Sequence, residues 1–325
     1  MKTAEYAAQA EEMRRDGCYT KHRMMSGPRK APSAFLLVLA ILACRGFLYA
    51  QSPSVPSIPA GQLVREAVAN EVAAANAPPI RRMFRARTET PKGSQTKLYV
   101  ETKDAIAAML IAVNDHPLTA QQKQGEINHL NWLSGSPEAL RRKRAREKED
   151  ADRTVRIVKA LPDAFVYEYA GSETGDATMG RVGSQLMRLK FRPNPQYSPP
   201  SRVEQALEGM NGFLLIDLQS KRLARIDGTL FRDVSFGWGI IGHLDKGGHF
   251  VVRQADVGDG DWEITEMQLN ITGKILLFKS ISMVSDEVVS DFHRVPEEIS
   301  FAQGVEMLVK EEQKVEEAGA TRDKK

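Results

Sequence analysis

The sequence predicts an α+β fold: a strongly curved antiparallel β-sheet, a half-open barrel of about nine to eleven strands, with three or four helices covering or plugging one side. Three observations predict it. From Asp163 onward, short apolar runs alternate with Gly- and Asp-containing turns at hairpin spacing. Several runs, such as Phe213-Leu-Leu-Ile216 and Ile275-Leu-Leu-Phe278, are apolar on both faces, so neither side of the sheet is left to water. Helix-type segments with recognisable starts precede this region, and one follows it.

In chain order, residues 60–76 read as a helix with Leu63, Val64, Ala67, Val68 and Val72 on one face. Arg82 to Thr90 alternates, with Phe84, Ala86 and Thr88 opposite Arg85, Arg87 and Glu89, as in a half-buried strand. A turn at Pro91-Lys-Gly-Ser94 leads to a second strand, Gln95 to Lys103, and Ala105 to Val113 reads as a third. Thr119 begins a helix, with Gln122 completing a capping box. Ser136-Pro137 begins another, densely charged, running to about Ala160 and docking through Val155, Ile157 and Val158. Its basic run Arg141-Arg-Lys-Arg144 reads as a solvated face.

Strands then follow on Phe165/Tyr167/Tyr169 and on Met187/Leu189/Phe191. Gly212–Asp217 and Arg222–Leu230 form a hairpin; next come His249–Val257, Asp261–Leu269 and Lys274–Val284, joined by turns at Gly258-Asp-Gly260 and Thr272-Gly273. Residues 298–310 form a closing helix, and a charged, frayed tail runs from Glu311.

Residues 60–310 are thus expected to be one domain, with 119–160 a helical insertion. A Pro-rich linker, residues 51–59, precedes it, and residues 311–325 are the tail. Residues 1–50 read as a signal peptide with an over-long start, Met24 or Met25 being a more usual first residue. Lys21, Arg23, Arg29 and Lys30 give the basic region, and Ser33 to Ala43 the short apolar one. Leu48-Tyr-Ala50 suits cleavage after Ala50, giving an exported, periplasmic protein; Ile41-Leu-Ala-Cys44 is the alternative, a lipidated Cys44 and a membrane-anchored lipoprotein. The leader holds eight of the 45 Lys and Arg but only four of the 42 Asp and Glu, so the rest is close to neutral. Both cysteines, Cys18 and Cys44, lie in it, so cleavage after Ala50 leaves a chain with no disulfide or cysteine-ligated metal. A charge-based case for nucleic acid binding fails.

Gly237-Trp-Gly-Ile-Ile-Gly242 matches a dinucleotide fingerprint in letters, but no helix fits before the next strand. It reads as an apolar loop, with Trp238 folding over a cavity mouth. Arg192 to Arg202, with four prolines, reads as a stiff crossover or as a partner-docking segment with Tyr197 as anchor and Arg192 and Arg202 as flanking charges. His243, Asp245 and His249 flank the glycine loop but lack metal-ligand spacing. No Gly-x-Ser-x-Gly elbow occurs, so no catalytic residue, cofactor or metal is assigned.

Five phrases carry a resemblance: Leu161-Pro-Asp-Ala-Phe-Val-Tyr-Glu-Tyr169, Leu189-Lys-Phe-Arg-Pro-Asn-Pro195, Ser198-Pro-Pro-Ser-Arg202, Arg222-Leu-Ala-Arg-Ile-Asp-Gly228 and Gly242-His-Leu-Asp-Lys-Gly-Gly248. Together they resemble a family of exported bacterial proteins without an established activity, over about residues 60–310. In element order that family is similar to the LolA/LolB/RseB half-open barrel of outer-membrane lipoprotein sorting. The resemblance implies a periplasmic binding or carrier module for a lipid, acyl chain or lipoprotein, meeting membranes only transiently or through a Cys44 anchor. The cavity wall expected from the strands comprises Phe213, Leu215, Phe250, Val252, Trp262, Ile264, Leu276 and Phe278. The other reading is an envelope structural or interaction protein with no small-molecule ligand, whose Pro-rich loop and charged helix meet a partner.

Overall fold

An apolar stripe at helical spacing makes residues 60–76 a helix, and burying that stripe fixes where the helix lies. In the computed structural model, which describes residues 56–236, 242–275 and 279–322, helix α1 spans Ala60–Asn76 and buries Leu63, Val64, Ala67 and Val68. The described residues lie within one compact unit, Pro53–Lys325.

Strands β1 (Arg82–Thr90), β2 (Gly93–Val100), β3 (Ala107–Val113) and the two-residue β4 (His116–Pro117) form a first meander. Helices α2 (Ala120–Ser134) and α3 (Pro137–Ala164) follow. The Thr119 hydroxyl accepts from the Gln122 amide and the Gln122 side chain accepts from the Thr119 amide, so the capping box forms. Next come β5 (Phe165–Thr174), β6 (Gln185–Pro193), the single-turn α4 (Arg202–Gln205), a 3₁₀ turn (Ala206–Gly209), β7 (Met210–Asp217) and β8 (Arg222–Leu230). The short β9 (Val234–Phe236) and β10 (Gly242–Leu244) pair with each other. The last described elements are β11 (His249–Asp256), β12 (Trp262–Ile275), β13 (Lys279–Arg294) and helix α5 (Phe301–Arg322).

All named strand pairs are antiparallel, in the order β4-β3-β2-β1-β13-β12-β11-β8-β7-β6-β5, with β10 added beside β12 and β9 beside β10. The first and last long strands are therefore neighbours: β1 pairs with β13 from Arg82↔Arg294 to Glu89↔Asp286. Among the described residues the sheet has thirteen strands, more than expected, because β4, β9 and β10 are too short to show a period.

Two expectations need correction. Thr272-Gly273 is not a turn but lies within β12, paired to Ser282 and Ile281 of β13. Glycine serves there because a Cβ at Gly273 would sit 2.2 Å from the His243 carbonyl oxygen of β10. The tail from Glu311 is not frayed at its start: α5 continues to Arg322, and Glu312 is buried against Lys123 of α2.

Among the described residues the core has three parts. The largest lies between α1, α3, the 3₁₀ turn and strands β5–β8, around Leu63, Val64, Leu161, Phe165, Leu189, Leu214 and Ile216. A second joins Met83, Leu98, Val100 and Met109 to Leu130 of α2 and Phe301, Val305 and Leu308 of α5. The third, Met179, Leu186, Leu215, Ala224 and Trp262, is separate from the first although Leu214 and Leu215 are consecutive. The sheet is thus apolar on both faces, as the sequence predicts.

Candidate functional site

Alternation along the strands places one set of side chains beneath α3. Ile157, Val158 and Leu161 of α3 form the roof of a cavity of about 220 Å³, and Val203, Ala206 and Leu207 close one side. The wall comes from Phe165 and Tyr167 (β5), Phe191 (β6), Met210 and Leu214 (β7), Ile226 (β8), Phe250 (β11) and Ile271 (β12). These are six adjacent strands, whose outer members would lie about 24 Å apart in a flat sheet. That is far wider than such a cavity, so the sheet wraps around it.

Of the fourteen described residues that line it, only Tyr167 carries a polar side-chain group. Its hydroxyl donates to the Leu161 carbonyl oxygen at 2.7 Å and is already satisfied; burial raises its pKa further and keeps it neutral. Phe165 and Phe191 pack with centroids 4.6 Å apart, which gives the floor a rigid aromatic surface. Phe250 lies over Gly228, where a Cβ would meet its ring at 2.3 Å, so the glycine lets the ring lie flat against β8.

Cross-strand partners share a face, and the register carries the wall further. Phe250 pairs with Leu269 and Val252 with Met267, and Ile271 pairs with Met283. Met267 and Met283 are exposed, so the enclosed part opens onto a strip along β11–β13 that is apolar at these methionines and polar at Ser285 and Glu287, the partners of Leu269 and Met267.

The expected cavity residues divide accordingly. Phe250 lines the cavity and Val252 shares its face. Phe213, Leu215 and Trp262 do not join this wall: they belong to the third core, where Phe213 also packs beneath the Arg188 guanidinium at 3.8 Å. Ile264 is exposed. Trp238, Leu276, Phe278 and Cys44 lie outside the described residues. The glycine-rich run is flanked by paired strands β9 and β10, whereas a dinucleotide site would need a helix to begin there. Tyr197 packs against the main core, while Arg202 is exposed and Arg192 lies 4.0 Å from Glu168. His249 bonds to Asp227 at 3.0 Å and His243 to Asp245 at 3.1 Å; no group of three potential metal ligands occurs among the described residues.

Sequence reasoning missed a buried ionic cluster where β1, β2 and β12 meet. Arg82 is 8% exposed and pairs with both Asp261 (2.8 Å) and Glu263, and its amide donates to Glu101. Arg294 of β13 adds a 2.6 Å contact to Asp261. Burial pushes Glu263 up to about 7; Arg82 opposes this while Glu101 and Asp261 add to it. Burial raises Glu101 as well. Burial also disfavours ionised Asp261, but hydrogen bonds from Arg294 and Arg82 outweigh it and hold that carboxyl below its usual range.

Glu263 binds its proton more tightly folded than unfolded, so its contribution to stability falls as pH rises from about 4.5 to about 7. Glu263→Gln should therefore gain on the natural protein as pH rises, by on the order of 3 kcal/mol between pH 5 and pH 8. Urea denaturation at the two pH values measures it; a constant difference between the two proteins would contradict this assignment.

No family model matches the chain, and no curated protein matches it. Among solved structures it is similar to a domain assigned to outer membrane lipoprotein sorting from Vibrio parahaemolyticus, at 12% identity and TM-score 0.28, covering 74% of this chain and 97% of that one. It is also similar to a DUF1329 family protein from Desulfovibrio piger, at 11% identity and TM-score 0.25, covering 73% and 94%. At these values neither likeness bears on function, which is argued from the cavity alone.

Proposed function

We propose that the protein is a binding or carrier module for a single hydrocarbon chain, such as an acyl chain of a lipid or lipoprotein, and not an enzyme. The cavity lining carries the proposal: fourteen residues from α3, the α4 region and six strands, with the one hydroxyl already bonded. Such a site favours hydrocarbon by roughly 25 cal/mol per Å² buried and disfavours an ionised group, which would lose its water with nothing in return. At about 220 Å³ the cavity is smaller than the roughly 300–1,000 Å³ typical of drug-sized ligands, so it suits one chain segment and not a whole lipid. The headgroup would stay outside, and a longer chain would continue along the strip at Met267 and Met283. With the leader removed, the protein would do this in the periplasm.

Native mass spectrometry and solvent extraction of the purified protein, with titration by a fluorescent fatty acid, test this reading. A co-purifying lipid, or saturable probe binding that a natural fatty acid displaces, is expected. Neither lipid nor probe binding would overturn it.

A further inference from the structure

A second concavity, of about 540 Å³, lies between α2 and α3 and shares no residue with the apolar cavity. Its floor is apolar: Ala108, Leu130, Ala139 and Phe301. On one rim Trp132 is 56% exposed and stacks on His129, with ring centroids 6.0 Å apart. On the other rim stand Arg142, Lys143 and Arg146. They belong to the segment Arg141–Arg146, which holds five cations and no acid. Arg142 is paired with Glu138, and Lys143 with Glu147 at 3.0 Å; Glu147 and Asp150 also line the groove; Arg146 has no ion-pair partner among the described residues.

A large exposed indole is informative where a scattered surface leucine would not be. Its neighbours limit what can cover it. Just before and within β3, the amides of Ile106 and Leu110 donate to Glu147 of α3 and Glu126 of α2, each at 3.2 Å, which ties this side of the sheet to the two helices. An indole beside long cationic side chains over an apolar floor matches the headgroup layer of a bilayer: tryptophan rings settle there, and arginine stems lie along apolar surface with their heads among phosphates. The chain beyond the leader is nearly neutral, so this attraction is local to the basic segment.

We propose that this face docks onto a membrane bearing anionic headgroups, with Trp132 at headgroup depth and Arg142, Lys143 and Arg146 on the phosphates. The proposal uses none of the cavity residues, so it stands or falls separately from acyl-chain binding.

The test is partition of the leader-free chain, from Gln51 onward, onto phosphatidylglycerol-containing vesicles and onto pure phosphatidylcholine vesicles. Binding to the anionic vesicles that weakens with salt is expected. The variant Arg142→Ala/Lys143→Ala/Arg146→Ala should bind roughly tenfold or more weakly. A blue shift of emission on binding should be present in the natural protein and reduced in Trp132→Phe. These side chains are mostly exposed; should the triple variant fail to fold by circular dichroism, Arg146→Glu alone takes its place. Equal binding by natural protein and variant, equal binding to neutral vesicles, or an unchanged emission shift in Trp132→Phe overturns the proposal. So does binding of poly-glutamate without vesicle binding, which would point to an acidic protein instead.

Discussion

Arg82→Ala is expected to cost about 3–5 kcal/mol of folding stability, enough to unfold many domains of this size. The guanidinium is nearly inaccessible and serves Asp261, Glu263 and the Ile80 carbonyl together, with Glu101 nearby on its own backbone amide. Removing it leaves three carboxyls gathered with fewer compensating charges; Asp261 keeps Arg294 but Glu263 loses its nearest cation. The loss should be greater at pH 8 than at pH 5, because protonation relieves the crowded carboxyls at the lower pH. Urea denaturation at both values measures it. A loss under about 1 kcal/mol would mean that the pairs behave as surface ion pairs do. The cluster joins the start of β1 to the start of β12, close to where the first meander meets β13, so local damage there should loosen the pairing of β1 with β13.

Ala206→Trp is expected to abolish hydrocarbon binding while leaving the protein folded. Ala206 lines the cavity from the 3₁₀ turn and is only partly buried, so a large ring there would occupy the space an acyl chain would use. A loss of stability of about 1–3 kcal/mol from overpacking accompanies it. Titration with a fluorescent fatty acid should show at least a tenfold weaker affinity. Unchanged affinity would place the probe elsewhere, with the open strip at Met267 and Met283 the next position to examine.

Local signals read from the sequence were reliable where one interaction dominates. The stripe of α1, the capping box at Thr119 and the alternation of β1 each depend on neighbours a few residues apart. Thr272-Gly273 misled because glycine marks both turns and close backbone approach, and only the position of β10 distinguishes them. The helix beyond Glu311 was hidden because its charged residues resemble a solvated tail, while Glu312 is held by Lys123, almost two hundred residues away in sequence.

Little of the cavity wall was legible. Of the residues expected there, Phe250 lines it and Val252 only shares its face, while Phe213-Leu-Leu-Ile216 is apolar at every position, so its phase is not defined by its own residues. The structure turns Leu214 and Ile216 toward the helices and Phe213 and Leu215 the other way. Of the roof, Ile157 and Val158 were visible as the docking end of a charged helix and Leu161 was not, and what the helix docks over depends on the curvature of a sheet formed later in the chain. The ionic cluster gave no signal, since Arg82, Glu101, Asp261 and Glu263 are ordinary strand and turn residues until three strands bring them together.

The central claim, that the cavity takes a hydrocarbon chain, is tested most directly by displacing a fluorescent fatty acid with a series of saturated fatty acids of increasing length. Each methylene that enters the cavity should tighten binding roughly fourfold, at about 0.8 kcal/mol apiece, until the enclosed space is filled and the gain diminishes. Affinity that does not change with chain length, or no displacement at any length, would contradict it.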